Sequence, residues 1–144
     1  MALIKSISGS RGTIGGLPNT NLTPLDIVRF SAAYGSMLLT GNKSAKVVVG
    51  RDGRISGDMV NQLVLQTLVG LGIQVVDLGL STTPTVEMAV KWEKADGGII
   101  ITASHNPKEW NALKLLNNKG EFINSDQGQQ VLDIAATDNY TFCE

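Results

Sequence analysis

The sequence predicts an α/β domain: a three-layer α/β/α arrangement with a mixed, mostly parallel sheet of about four strands flanked by helices. Short apolar runs rich in β-branched residues recur at Val47–Val49, Ile73–Leu78 and Ile99–Ile101, the composition of strands buried on both faces. Segments with apolar residues at helical spacing lie between them. Each run stops abruptly in polar or turn-forming residues, so the connections are short. Alternating elements with short connections favour a mainly parallel sheet covered by helices.

Taken in order, Leu3 to Ile7 reads as a short strand, and Ser8-Gly9-Ser10-Arg11-Gly12-Thr13-Ile14-Gly15-Gly16 as a glycine-rich loop. Thr23-Pro24-Leu25-Asp26 is a helix start, with Thr23 as N-cap, Pro24 at the first helical position and Asp26 in the first turn. Leu25, Val28, Ala32, Gly35 and Leu38 give that helix its expected core stripe, and Gly41 closes it. Lys46 to Gly50 is a buried strand. Ser56 is placed to cap the next helix, whose apolar side carries Met59, Val60, Leu63, Val64, Thr67, Leu68 and Leu71 before Gly72 ends it. Ile73 to Leu78 is a third strand. The Ser81–Thr85 cluster caps a helix opened by Pro84 and carrying Val86, Ala89, Val90 and Trp92. Asp96-Gly97-Gly98 leads into the Ile99–Ile101 strand. Trp110 to Leu116 alternates weakly and, with the turn Asn117–Gly120 and Glu121-Phe122-Ile123, predicts a hairpin. A last helix runs from Ser125 to about Asp138, with Val131, Leu132 and Ala135 as its apolar face.

The 144 residues make one domain of ordinary size, large enough for a core. With 42% hydrophobic and 17% charged residues the chain is globular rather than disordered. Twelve basic and thirteen acidic residues leave a formal charge of −1, with no basic patch for nucleic acid and no acidic tail. No apolar run approaches the ~20 residues of a membrane span. The first residues, Met1-Ala2-Leu3-Ile4-Lys5, lack the long apolar core of a signal peptide. The lone Cys143 excludes an internal disulfide framework and fits a reducing, cytoplasmic setting.

Chemistry concentrates at the carboxyl ends of the strands, where ligands bind in open α/β sheets. The central Ile run empties into Thr102-Ala103-Ser104-His105-Asn106-Pro107, which sets Ser104 beside the only histidine of the chain. This is not a hydrolase elbow: Ala103 precedes the serine, Asn106 stands two residues later, and no second histidine exists to serve a triad. From these residues alone, Ser104 and Asn106 either bond local backbone in a turn or form part of a site. Arg11 in its glycine-rich stretch has the same two readings, a flexible turn or a phosphate cradle in which its fork grips phosphate oxygens. Gly50-Arg51-Asp52-Gly53-Arg54-Ile55-Ser56-Gly57 either fixes its own loop by ion pairs or brings Arg51 to a phosphate.

The hexapeptide Thr102–Pro107, followed by Asn111 and Lys114, closely resembles the phosphoserine loop of the α-D-phosphohexomutases, a family of phosphoglucomutases, phosphomannomutases and phosphoglucosamine mutases. The Ser8–Gly12 stretch is similar to that family's amino-terminal Ser-Gly-x-Arg-Gly element, and Gly50–Gly57 to a second family string. Ala112 stands where the family carries glycine. The resemblance covers nearly all 144 residues and implies the first, phosphoserine-bearing domain of a four-domain enzyme, here as a fragment spanning residues 1–144.

What the resemblance implies is specific. Phosphorylated Ser104 donates its phosphate to a hexose phosphate, the bisphosphate reorients, and its other phosphate returns to Ser104, so that phosphate moves between the 1- and 6-positions of the sugar. His105 and Lys114 become the candidates for proton traffic, with acid and base unassigned, and Arg11, Asn106 and Arg51 become phosphate contacts. A phosphoserine of about −1.5 to −2 charges calls for cations around it. The family supplies Mg2+, bound here to Ser104 through its phosphate and otherwise by an Asp-x-Asp-x-Asp run of a later domain. No Asp-x-Asp occurs in this chain. The implied partners are a hexose phosphate, a hexose 1,6-bisphosphate as activator and intermediate, and the remaining domains of the polypeptide. The fragment alone is expected to be inactive. Two rivals stand beside this reading: a non-catalytic module that binds phosphosugar or phosphate with the same loops, and a small serine hydrolase.

Overall fold

Six strands and four helices make up the computed structural model, which describes residues 3–144. Met1 and Ala2, part of the segment read above for a signal peptide, lie outside the described residues. The order is β1 (Leu3–Ser6), β2 (Gly9–Thr13), α1 (Pro24–Leu39), β3 (Lys46–Arg51), α2 (Gly57–Gly70), β4 (Gln74–Leu80), α3 (Thr83–Trp92), β5 (Gly97–Ile101), β6 (Trp110–Leu116) and α4 (Ser125–Thr137). No helix among them is long and apolar enough to cross a membrane.

The three-layer α/β/α arrangement and the mixed sheet are as the sequence predicts, but the sheet has six strands rather than about four, in the order β1-β2-β6-β5-β3-β4. Its parallel part is confined to β4, β3 and β5, the strands joined through helical crossovers. The β5–β6 connection holds no helix, so β6 returns antiparallel, and β1, β2 and β6 extend that half of the sheet. The glycine-rich stretch expected as a loop is largely β2. Gly9 shows why glycine serves there: a Cβ at this position would land on the Leu113 carbonyl of β6. The expected hairpin after β6 shrinks to a single bridge between Leu116 and Phe122.

Strand periodicity sorts the apolar runs onto two faces. Val47, Val49, Ile99, Ile101, Leu113 and Leu115 face the core shared with α1, α2 and α4. Val48, Ile100 and Leu116 face the smaller core under α3, packed by Val86, Ala89 and Val90. Helix α1 begins as predicted, with a capping box in which Thr23 and Asp26 bond each other's backbone amides. That carboxylate is buried, and the inward side of the helix is broader than the expected stripe: Ile27, Phe30, Ala33, Tyr34 and Met37 join Ala32 and Gly35 inside, Val28 and Leu38 are half-buried, and Leu25 is 61% exposed. Trp92, at the end of α3, is likewise exposed rather than core. Ser56 stands at the start of α2 but caps nothing; its hydroxyl accepts from Asn111 Nδ2 at 2.9 Å, tying the helix to β6.

Candidate active site

Ser104 lies three residues beyond β5, exposed, with φ +50°, a left-handed conformation uncommon outside glycine, asparagine and aspartate. Bonds on both sides of the residue hold it there. Its N–H donates to Thr102 Oγ1 at 3.1 Å, and its carbonyl accepts from Arg54 Nη2 at 2.8 Å. Thr102 Oγ1 in turn donates to Asp52 Oδ2 at 2.6 Å, and the same carboxylate oxygen accepts from Arg54 Nε at 3.3 Å. Asp52 and Arg54 follow β3, so the parallel pairing of β3 with β5 delivers both loops to one edge of the sheet.

The Ser104 hydroxyl meets β6. Lys114 Nζ donates to Ser104 Oγ at 2.8 Å. Sequence alone makes Lys114 a surface lysine; in the fold it is half-buried, opposite Ile100 on one side and Gly9 on the other. Arg11, on β2, pairs in register with Ala112. Together Arg11, Ala103, Ser104, His105, Asn106, Ala112 and Lys114 line a cavity of about 250 Å³. Two basic side chains, Arg11 and Lys114, and no carboxylate line it, a lining suited to an anion. His105 is exposed at the rim, and Asn106 is half-buried with its carbonyl accepting from Arg54. A groove of about 340 Å³ shares Arg11, Ala112 and Lys114 and continues past Ser6 and Ser8. Ala112 sits within β6, and its φ is not positive, so alanine fits this backbone.

Five of the six residues singled out from the sequence therefore meet at one cavity. Arg51 is the sixth, and it does not line that cavity: its Nη1 donates to the Asp52 carbonyl at 3.3 Å, and it packs beside Gly57. Asp52, Thr102 and Arg54, which the sequence does not single out, also hold the serine loop, and all three stand in the Gly50–Gly57 and Thr102–Pro107 strings.

Mg2+ takes near-octahedral oxygen coordination. The side-chain oxygens lining this cavity are the Ser104 hydroxyl, which already accepts from Lys114, and the Asn106 amide, and the nearby Asp52 carboxylate is engaged by Thr102 and Arg54. Among the described residues no group of three His, Cys, Asp or Glu side chains could hold a metal. The described residues by themselves do not fit a complete magnesium site.

Comparison with known proteins decides the family. The family described as phosphoglucomutase/phosphomannomutase, alpha/beta/alpha domain I, matches residues 5–141. The chain belongs to this family. A phosphoglucomutase/phosphomannomutase of Thermococcus kodakarensis is 36% identical over 132 residues, covering 90% of this chain and 29% of that protein. A phosphoglucosamine/phosphogalactosamine mutase of Sulfurisphaera tokodaii is 36% identical over 135 residues, covering 92% of this chain and 29% of its own length. The crystal structure of a phosphoglucomutase/phosphomannomutase family protein from Burkholderia thailandensis superposes with a TM-score of 0.81 at 24% identity, over 99% of this chain and 32% of that one, and shows the shared fold. The crystal structure of a phosphomannomutase-like protein from Thermus thermophilus gives the same TM-score of 0.81 at 29% identity, over 94% of this chain and 30% of that one. The chain thus spans under a third of the length of these relatives.

Proposed function

We propose that this phosphohexomutase-family domain carries the phosphoserine of a phosphosugar mutase that moves phosphate between the 1- and 6-positions of a hexose. The observation that carries the reading is the Lys114–Ser104 contact: a serine hydroxyl at a strand end, 2.8 Å from an ammonium and facing a cationic cavity. In each transfer the bond between phosphorus and Ser104 Oγ breaks and a bond from phosphorus to a sugar hydroxyl oxygen forms. The hydroxyl proton leaves that oxygen, and Ser104 Oγ is left as a hydroxyl. The reverse sequence, from the other phosphate of the bisphosphate, restores the phosphoserine.

The barrier to each transfer to or from Ser104 is lowered chiefly by positioning and charge stabilisation. In this reading Lys114 stabilises charge on Ser104 Oγ and exchanges its proton, and His105 serves proton traffic at the sugar hydroxyl. Arg11 offers a planar fork to the phosphoryl oxygens, and the Asn106 amide adds a donor. Mg2+ belongs to the proposal as charge neutralisation on the phosphoryl group; the Ser104 phosphate would give it one oxygen and sequence outside these 144 residues the rest. Hexose phosphate, hexose 1,6-bisphosphate and further domains of one polypeptide are the proposed partners.

The test is incubation of the full polypeptide with glucose 1,6-bisphosphate, followed by intact mass and peptide mapping. One added phosphate on the peptide carrying Ser104, absent in Ser104→Ala, is the expected result. Reversible sugar-phosphate binding with no covalent phosphate would instead mark a binding module.

A further inference from the structure

We infer that Arg54 is a positioning residue for phosphoryl transfer: it holds the Ser104–Trp110 loop in the one conformation that sets Ser104 Oγ against Lys114. The inference rests on the reading of Ser104 as phosphate carrier and adds to it a residue that touches neither phosphate nor sugar.

A guanidinium has five N–H donors in a rigid plane. Arg54 makes five contacts at hydrogen-bond distance. Nη2 donates to the carbonyls of Ser104 at 2.8 Å and Asn106 at 2.9 Å. Nη1 donates to those of Pro107 at 2.6 Å and Trp110 at 3.1 Å. Nε donates to Asp52 Oδ2 at 3.3 Å. The side chain is only 13% exposed. With every donor committed, Arg54 has none left for a phosphate. The contrast is Arg11, exposed on the cavity wall, whose side chain makes no hydrogen bond or ion pair among the described residues.

The left-handed backbone at Ser104 explains why such a clamp is needed. A non-glycine residue stays in that region when its surroundings over-determine it. Here the Ser104 carbonyl is held directly by Arg54, and its N–H indirectly through Thr102 and Asp52, the carboxylate to which Arg54 also donates. Carbonyls without partners repel one another, and four of them converge on this guanidinium. Removing it frees the loop to relax to ordinary φ, which carries Oγ away from Lys114. Lysine cannot substitute: its compact ammonium has three donors and no planar fork.

The experiment uses Arg54→Lys and Arg54→Ala in the full polypeptide, with kinetics and thermal melts, and hydrogen exchange of residues 103–110 in the 144-residue chain. Displacing a reacting group by an ångström costs about 10²-fold. The expected result is therefore a fall in kcat of about that size in both variants, with KM for hexose phosphate changed far less, because the substrate contacts remain. Added guanidinium should partly restore kcat in Arg54→Ala, and exchange across 103–110 should rise while β3 and β5 stay protected. Wild-type kcat, or a kcat loss that follows a lowered Tm and vanishes well below it, would overturn the inference. So would unchanged exchange across 103–110. If wild-type protein takes no phosphate on Ser104, the reading of that serine fails, and the exchange arm still decides whether Arg54 fixes the loop.

Discussion

Lys114 and Ser104 meet at 2.8 Å because β6 folds back antiparallel on β5, setting Lys114 opposite Ile100, four residues before the serine. Neither residue owes this contact to local sequence. It is a product of register, and a slip of one residue in β6 would turn Lys114 to the opposite face of the sheet. The pairing also places Ala112 against Arg11 of β2, so one strand orients both cations.

The first prediction is that Ser104→Ala abolishes turnover in the full polypeptide while leaving the fold intact. Losing the covalent carrier removes the reaction path rather than one stabilising contact. Steady-state mutase assays and circular dichroism check it. Near wild-type activity in a folded variant would refute the phosphoserine mechanism.

Arg11→Lys is expected to impair transfer more than stability. Lysine keeps the charge but loses the planar fork that grips two phosphoryl oxygens. Arg11 is exposed, so the substitution should change stability by no more than ~0.5 kcal/mol. Comparing kcat with the melting temperature separates the two roles; unchanged activity with a sharp drop in melting would make Arg11 structural.

Much of this was legible in the sequence because buried parallel strands and capped helices have strong local signatures. Val47–Val49 and Ile99–Ile101 could be little else, and the Thr23/Asp26 and Pro84 starts follow from capping chemistry. Strand β2 was hidden because Gly9, Ser10, Arg11 and Gly12 have poor strand propensity; the free edge of β6 provides their partner, which no local pattern reveals. In the site, exposed polar residues near the serine were readable from the strand end and the family resemblance. The clamp was not, because Arg54 acts on carbonyls about 50 residues away, and a backbone carbonyl leaves no mark in a sequence. Arg51, three residues earlier in the same string, could not be told from it by spacing.

Tyr34→Phe should destabilise the domain. The Tyr34 hydroxyl is buried where α1 crosses the start of β5; it donates to Leu116 O at 2.6 Å and accepts from Gly98 N at 2.9 Å. Burial pushes that hydroxyl well above its ordinary range, so it stays protonated and able to donate. Phenylalanine would leave a buried N–H and a carbonyl without this partner, at about 1–3 kcal/mol. A Cβ at Gly97 would fall on the same hydroxyl, so Gly97→Ala should also destabilise, and the two changes together should cost less than their sum. Denaturant melts of the four proteins measure the coupling; strict additivity would show that the hydroxyl does not set the space at Gly97.

The last prediction is that the 144-residue chain folds but does not interconvert hexose phosphates. Folding is expected from two separate cores, one on each face of the sheet, and from side-chain caps on α1, α3 and α4. Inactivity is expected from what transfer demands. A held substrate can contribute ~7–11 kcal/mol of barrier reduction through orientation. Here the cavity has a serine hydroxyl and two cationic side chains, the described residues hold no complete magnesium site, and the matched stretch covers only 29% of a related phosphoglucomutase/phosphomannomutase. At 1.36 kcal/mol per decade, losing even ~7 kcal/mol slows the reaction by about five orders of magnitude. A coupled glucose 1-phosphate to glucose 6-phosphate assay with magnesium and glucose 1,6-bisphosphate measures it on purified chain. Sustained turnover at about 1 per second, within the usual enzymatic range, and lost in Ser104→Ala, would show instead that these residues suffice for the whole reaction.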